Sequence, residues 1–191
     1  TDESKSNFNT LLTYFVIPRQ APRPSLPVVR GALGRARRGL LRADDRAPGV
    51  TPAPRAVRLP PGAFEELAAH AAREAPRECC GVLVGALDGD RVRVEEVRAC
   101  RNRAATHDLY ELDPEDFVAA DAAAEARGFA VVGFYHSHPR GPERLSQVDR
   151  ARAWPAYVYL LIFPEAGSGS GFSAWVQARE GADFTPVLIE S

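Results

Sequence analysis

Two histidines separated by one residue are the strongest candidates for chemistry in this sequence. His136 and His138 flank Ser137 at the end of the apolar run 129–135, which predicts a strand. Residues i and i+2 of a strand project to the same face, so both imidazoles can reach a single ion. The alternative is a pair of polar residues at the exposed mouth of a strand.

A carboxylate downstream of this pair completes a candidate ligand set. A proline-bounded turn over 139–142 is followed by Ser146-Gln-Val-Asp149, which opens a predicted helix and can return Asp149 toward the histidines. Two imidazoles and one carboxylate leave the fourth tetrahedral position open, which is typical of a catalytic zinc site. Serine followed three residues later by an acid is also a helix capping box. The two interpretations are compatible, because the cap would fix the geometry that aims Asp149.

Hydrolysis at such a site also needs a carboxylate that does not bind the ion and can act as general base. Glu78 is the candidate, because it stands immediately before the buried strand that begins at Cys79-Cys80-Gly81. The alternative is an exposed acid in a helix-to-strand loop. The competing carboxylates are Glu74, Glu95, Glu96 and Glu111.

These groups need a scaffold, and the periodicity from residue 56 onward predicts a mixed α/β domain with a sheet flanked by helices. Asp88-Gly89 predicts a hairpin turn, and Asp113-Pro114-Glu115 predicts a helix start. The glycine-rich segment 167–171 predicts a flexible connection between two strands. Strands are predicted over 56–59, 80–86, 91–98, 129–135, 157–163, 172–178 and 184–189, and helices over 61–73, 113–128 and from Ser146.

Charge and proline content divide the chain into two parts. The 191 residues carry a net charge of −1, but residues 1–60 hold eleven basic and four acidic side chains, whereas residues 61–191 hold thirteen and twenty-one. Nine of the sixteen prolines lie between Pro18 and Pro61. We therefore predict a basic, Pro/Arg-rich arm or linker over 1–55 and one catalytic domain over 56–191. The overall balance predicts neither a nucleic-acid nor a membrane partner.

The arm contains a cluster of arginines at positions 35, 37, 38 and 42. It is interpreted either as a solvated basic linker or as a segment that contacts an acidic surface.

Three cysteines, two of them adjacent, cannot form a disulfide framework, which favours a reducing compartment and places the protein in the cytoplasm. Cys79 and Cys80 are interpreted as small buried hydrophobes rather than nucleophiles. His70 and His107 are not expected to be ligands. The longest apolar runs are far shorter than the roughly 20 residues that span a bilayer.

The combination of Glu78 in Glu-Cys-Cys-Gly, then His136-Ser-His138, seven intervening residues that begin with Pro139, Ser146, two more and Asp149 resembles the signature of the JAMM (MPN-plus) metallopeptidases. The resemblance implies a curved mixed sheet between helices, related to the cytidine deaminases. It implies one Zn²⁺ per chain held by His136, His138 and Asp149, with Glu78 as general base. Ser146 would donate a hydrogen bond to the developing oxyanion. Leu145 stands where relatives often have proline, and we expect only a softer loop there.

The family resemblance also implies the substrate. The simple bacterial and archaeal relatives cleave the amide bond after the C-terminal Gly-Gly of ubiquitin-like sulfur carriers, of the kind used in molybdopterin, thiamine or cysteine synthesis. Pairing with a strand edge would hold such a tail through main-chain hydrogen bonds, and we expect the segment 104–112 with Tyr110 to form part of the groove. The sequence leaves a homodimer open.

Two other functions are considered. A non-catalytic MPN scaffold that only binds partners is disfavoured by the intact ligand set. A nucleobase deaminase is disfavoured because the His-x-Glu and Pro-Cys-x-x-Cys pattern is absent.

Overall fold

The computed structural model describes residues 53–165 and 169–191. The arm predicted over 1–55, with its arginine cluster, lies almost entirely outside the described residues, and its role stays a prediction. No helix in the described ranges is long and apolar enough to cross a membrane. The elements are β1 (Ala56–Arg58), α1 (Ala63–Glu74), β2 (Cys80–Asp88), β3 (Arg91–Cys100), α2 (Pro114–Glu125), β4 (Ala130–Ser137), α3 (Gln147–Arg152), β5 (Val158–Glu165), β6 (Gly169–Gln177) and β7 (Phe184–Glu190).

The seven strands confirm a mixed α/β fold, but the sheet closes on itself. Its strand order is β1-β3-β2-β4-β5-β6-β7, and β1 pairs in parallel with both β3 and β7. Val57 lies opposite Val92 of β3 on one side and Ile189 of β7 on the other. A strand of only three residues thus joins the two edges of what would otherwise be an open curved sheet. The result is a barrel in which each of these seven strands has two partners.

The two strands that lead to the candidate site are the most buried in the barrel. All eight residues of β4 are buried, and β2 is buried from Cys80 through Leu87. The strands pair antiparallel with Cys80 opposite His136, so the start of β2 lies beside the end of β4. Glu78 and the histidine pair therefore come from different parts of the chain but reach the same end of the sheet.

The helix α1 packs on one face of these two strands, and α2 packs on the other. Leu83 of β2 and Tyr135 of β4 belong to a first core cluster, against which α1 packs Leu67. Val82 and Phe134, the adjacent residues on the same strands, belong to a second cluster that includes Ala120 and Ala124 of α2. The period-two alternation of a strand thus distributes apolar side chains to both faces of the sheet.

The glycine-rich segment differs from its prediction. β6 begins at Gly169, so Gly169 to Gly171 are strand residues paired with β5. A Cβ at Gly171 would lie 2.2 Å from the Phe163 ring, which shows that the ring covers this glycine. Cross-strand packing therefore overrides the low strand propensity of the segment.

The core is tested by a pair of leucines with opposite exposure. Leu160 of β5 is 0% exposed, whereas Leu188 of β7 is 63% exposed. We expect Leu160→Ala to lower the free energy of unfolding by roughly 2–5 kcal/mol, because it leaves a cavity. Leu188→Ala should change it by no more than about 0.5 kcal/mol. Urea denaturation of both variants measures the difference, and equal effects would contradict the described core.

Candidate metal centre

The two histidines face each other at the end of β4. Their Nε2 atoms are 3.1 Å apart, and both rings are buried. Ser137, between them, is directed elsewhere: its Oγ accepts a hydrogen bond from the Cys79 amide at 2.8 Å. The His138 amide donates to the Ile162 carbonyl at 2.8 Å, which continues the β4–β5 pairing beyond the end of β4. The strand geometry predicted from the spacing is therefore present.

Asp149 reaches the same point from α3. Its Oδ2 lies 3.5 Å from His136 Nε2 and 3.4 Å from His138 Nε2. The capping box is also complete: the Ser146 amide donates to Asp149 Oδ2 at 2.7 Å, and the Asp149 amide donates to Ser146 Oγ at 3.1 Å. One local motif thus starts the helix and aims the carboxylate, so the two interpretations of this sequence hold together.

The separations of these three atoms match the size of a zinc site. Zinc binds imidazole nitrogen at about 2.0–2.1 Å, so two ligand atoms of a tetrahedral site are about 3.3–3.4 Å apart. The three edges here are 3.1, 3.4 and 3.5 Å. His136, His138 and Asp149 could therefore hold one ion without rearrangement of the backbone.

Glu78 is the second carboxylate of the site. Its Oε1 lies 3.9 Å from His138 Nε2, and the residue is only 6% exposed. Glu78, His136 and His138 each offer a ligand atom within 4.8 Å of the others, so Glu78 is also close enough to contribute to a metal site. Glu78 Oε1 is thus farther from His138 Nε2 than His136 Nε2 and Asp149 Oδ2 are.

The two carboxylates differ in their electrostatic environment. Burial, assisted by Asp149 and Asp108 and opposed by His138, raises the pKa of Glu78 to about 7. Burial also disfavours the charged form of Asp149, but its hydrogen bonds with His136, His138 and Ser146 hold the pKa of Asp149 well below its usual range. One group is thus suited to remain an anion, whereas the other is suited to exchange a proton near neutral pH.

The two imidazoles differ in the direction of their pKa shifts and in the contacts that orient them. Burial lowers the pKa of His136 and favours its neutral, metal-binding form. Burial acts in the same direction on His138, but hydrogen bonds to Asp149 and to the Pro142 carbonyl raise its pKa overall. His138 Nδ1 donates to that carbonyl at 3.0 Å, which directs the lone pair of Nε2 into the site. His136 Nδ1 has no hydrogen-bond partner among the described residues, and the Tyr110 ring stacks on His136 with centroids 4.4 Å apart.

The loop between β4 and α3 is packed closely onto this site. A Cβ at Gly141 would lie 2.9 Å from the Cβ of His138. Leu145, where we expected a softer loop, is 3% exposed and belongs to the second core cluster, so it anchors the loop by burial. Glu78, His138 and Ser146 line one cleft together with residues of 107–108 and 139–142.

The remaining candidates from the sequence lie in other surroundings. His70 is buried and its Nδ1 hydrogen-bonds the Tyr135 hydroxyl at 3.0 Å, while His107 is exposed at the cleft. Glu95 pairs with Arg93, and Glu96 pairs with Arg98 of its own strand and with Arg127, which follows α2. Asn102, which binds the main chain of Glu78, was not predicted from the sequence, because its role depends on contacts that no local pattern reveals.

The chain is similar to known proteins in both sequence and fold. The sequence profile of the family described as prokaryotic homologs of the JAB domain matches residues 60–178. A desampylase of Haloferax volcanii is 46% identical over 97 residues, which cover 50% of this chain and 68% of that protein. A probable TtuB-protein conjugate cleaving protease of Thermus thermophilus is 38% identical over 105 residues, covering 54% and 68%. A solution structure from Desulfitobacterium hafniense aligns with a TM-score of 0.62 at 29% identity, covering 71% and 93%.

The cysteines beside this site are expected to be unreactive. All three are free and buried. Burial raises the pKa of Cys79 to about 11 and that of Cys100 to about 12, and it raises the pKa of Cys80 further. Because the thiolate is the reactive form, iodoacetamide at pH 8 should leave the native protein unmodified and alkylate three thiols after unfolding, as read by intact mass. Rapid alkylation of native Cys79 or Cys80 would restore the nucleophile interpretation.

Proposed function

The chain belongs to the family of prokaryotic homologs of the JAB domain, and on this premise we propose that it is a zinc-dependent isopeptidase. Its substrate is a ubiquitin-like or sulfur-carrier protein, cleaved at the amide bond that follows the C-terminal Gly-Gly tail. The observation that carries the proposal is the set of three ligand atoms 3.1 to 3.5 Å apart, with a second carboxylate of raised pKa beside it.

The relatives support this substrate class. One of them is named for cleaving TtuB–protein conjugates, and another is named a desampylase. Each of them matches about half of this chain, and on that similarity we propose a bond of the same class as the substrate. The proposal does not extend to a homodimer. Three buried free thiols favour a reducing compartment, and the cytoplasm is proposed on that ground.

In this proposal His136, His138 and Asp149 bind the metal, and Glu78 does not. Asp149 is preferred as the ligand because its Oδ2 is nearly equidistant from both Nε2 atoms and its pKa keeps it ionised. Glu78 lies farther from His138 and retains protons to a higher pH. When bound, zinc supplies Lewis acidity toward water and the scissile carbonyl.

The chain's own residues perform the proton transfers. Glu78 takes a proton from the attacking water, for which a pKa near 7 is well suited. It then returns the proton to the leaving amine nitrogen, so no covalent enzyme intermediate is needed. The Ser146 Oγ accepts from the Asp149 amide, which leaves its O–H to donate to the carbonyl oxygen as negative charge develops.

The closed barrel restricts how a Gly-Gly tail is held. Each of the seven described strands pairs with two others, and the irregular segment 104–112, expected from the sequence to form part of the groove, remains the proposed site of pairing with the tail. Within that segment, the amides of Ala104 and Glu111 are hydrogen-bonded to Asn102. Tyr110 stacks on His136 rather than standing in an open groove. The exposed residues 105–108 and the facing loop 139–142 are the proposed walls for a tail without side chains.

Hydrolysis is tested with a ubiquitin-fold carrier that ends in Gly-Gly and is extended by a C-terminal peptide. The zinc-loaded protein should release the peptide with a single cut after Gly-Gly, as read by intact mass. Glu78→Gln should reduce kcat by at least about a hundredfold, because the general base is lost. Glu74→Gln, an exposed acid on α1, is the matched control and should keep wild-type turnover. Wild-type turnover by a zinc-loaded Glu78→Gln protein would contradict the mechanism.

The ligand set is tested by elemental analysis after dialysis. We expect about one zinc per wild-type chain and strong loss of zinc in His136→Ala and in Asp149→Asn. His107→Ala, which removes an exposed imidazole at the cleft, should retain zinc. Retention of zinc by His136→Ala would show that the ion lies elsewhere. A wild-type protein without zinc would favour the non-catalytic scaffold.

A further inference from the structure

A single amide side chain connects Glu78 to the segment that covers His136. Asn102 follows β3 and forms an isolated bridge with Leu112, so the segment between these two residues leaves and returns at one point. The Arg103 amide donates to the Glu111 carbonyl at 2.7 Å, which draws the ends of the segment together. Between these ends the chain has no regular helix or strand to satisfy its backbone groups.

The Asn102 side chain supplies the missing partners. Its Nδ2 donates to the carbonyls of Glu78 at 2.8 Å and Leu109 at 3.0 Å. Its Oδ1 accepts from the amides of Ala104 and Glu111, both at 2.9 Å. An asparagine amide has two N–H donors and two acceptor lone pairs, so its full hydrogen-bonding capacity is used. A residue with four satisfied bonds to three separate stretches of chain has little freedom to move.

Neighbouring contacts extend this arrangement. Arg77 Nη2 donates to the carbonyls of Asn102 at 3.2 Å and Ala104 at 2.7 Å. On the other side of Glu78, the Cys79 amide donates to Ser137 Oγ, and the Ser137 amide donates to the Cys79 carbonyl. The backbone around Glu78 is therefore fixed between Asn102 and the strand that carries both histidines.

The same segment holds an aromatic ring on the other half of the site. Tyr110 lies next to Leu109 and Glu111, both of which are bound to Asn102, and its ring stacks on His136 at an interplanar angle of 23°. His138 is oriented by a hydrogen bond to Pro142, but His136 Nδ1 has no such partner in the described part of the chain. The ring of Tyr110 covers one face of the His136 imidazole and so restricts its rotation.

From these contacts we propose that Asn102 is a positioning residue that couples the general base Glu78 to the metal ligand His136. It acts on Glu78 through the backbone carbonyl and on His136 through Tyr110, without touching substrate or metal. The effect on Glu78 rests on the proposed function, whereas the effect on His136 follows from the geometry alone.

Two substitutions of Asn102 distinguish the contribution of its Nδ2 donors from that of its full set of hydrogen bonds. Asn102→Asp keeps the oxygen that faces Ala104 and Glu111 but loses both donors, which leaves the carbonyls of Glu78 and Leu109 unpaired. Asn102→Ala removes all four bonds. Residues that orient metal ligands typically change metal affinity or activity by about ten- to a hundredfold. We expect both variants to lose kcat by that factor, with a smaller change in KM.

Metal binding supplies a readout that does not depend on turnover. Titration with Co²⁺, followed by its visible absorption, should show a changed spectrum and a roughly tenfold or greater loss of affinity in Asn102→Ala. Tyr110→Leu should change the Co²⁺ spectrum in the same direction, because it removes the ring from His136 but leaves Asn102 in place.

Gln177→Ala is the matched control. Gln177 is also a buried amide that donates to a main-chain carbonyl, that of Ala182 at 2.9 Å. It lies at the end of the barrel opposite the site, because β6 pairs Val176 with Val158 at the start of β5. The Gln177→Ala variant should have a lower Tm but keep kcat and Co²⁺ affinity within about twofold of wild type.

The two hypotheses fail in different ways. A wild-type protein that binds Co²⁺ but cleaves no carrier fusion contradicts the proposed function, and the Co²⁺ titration then decides the positioning role. If both Asn102 variants lose only Tm, as Gln177→Ala does, and keep wild-type kcat and Co²⁺ affinity, the positioning role is wrong.

Discussion

The antiparallel pairing of β2 with β4 is the constraint on which the site depends. It sets Cys80 opposite His136 and so brings Glu78, two residues earlier, to the end of the strand that carries both histidines. A shift of this register by one residue would turn the histidines to the other face of the sheet. The register is held by burial along both strands and by the reciprocal bonds between Cys79 and Ser137. The packing of the barrel core therefore determines where Glu78 and the two histidines meet.

The second requirement is that two buried carboxylates near the same imidazoles behave differently. Asp149 accepts a hydrogen bond from the Ser146 amide and lies within 3.5 Å of both imidazoles, so its negative charge is stabilised despite burial. Glu78 is comparably buried, but its contact with the His138 imidazole is longer, at 3.9 Å, and burial raises its pKa to about 7. Environment, rather than residue type, is what supports the proposed roles of Asp149 as ligand and Glu78 as base. The capping box of α3 contributes directly to this difference, because the Ser146 amide is one of the donors.

Much of the fold and the candidate site could be predicted from local patterns. The spacing of His136 and His138, the Ser146–Asp149 cap and the N-cap of α2 at Asp113 each depend on residues close in sequence. The closure of the barrel could not be predicted in this way, because β1 has three residues and its two partners lie in β3 and β7. The contacts of Asn102 and the stacking of Tyr110 on His136 were missed for the same reason. The packing of the Phe163 ring over Gly171 likewise depends on a cross-strand neighbour. The glycine-rich composition of 167–171 predicted a flexible connection instead.

The central claim is that His136, His138 and Asp149 bind one zinc ion while Glu78 stays free as the base. Anomalous diffraction at the zinc edge from crystals of the zinc-loaded protein tests this claim most directly. The account predicts one peak within about 2.2 Å of both Nε2 atoms and an Asp149 oxygen, with Glu78 outside bonding distance. A peak bound to Glu78 with Asp149 turned away, or a peak remote from both histidines, would contradict it.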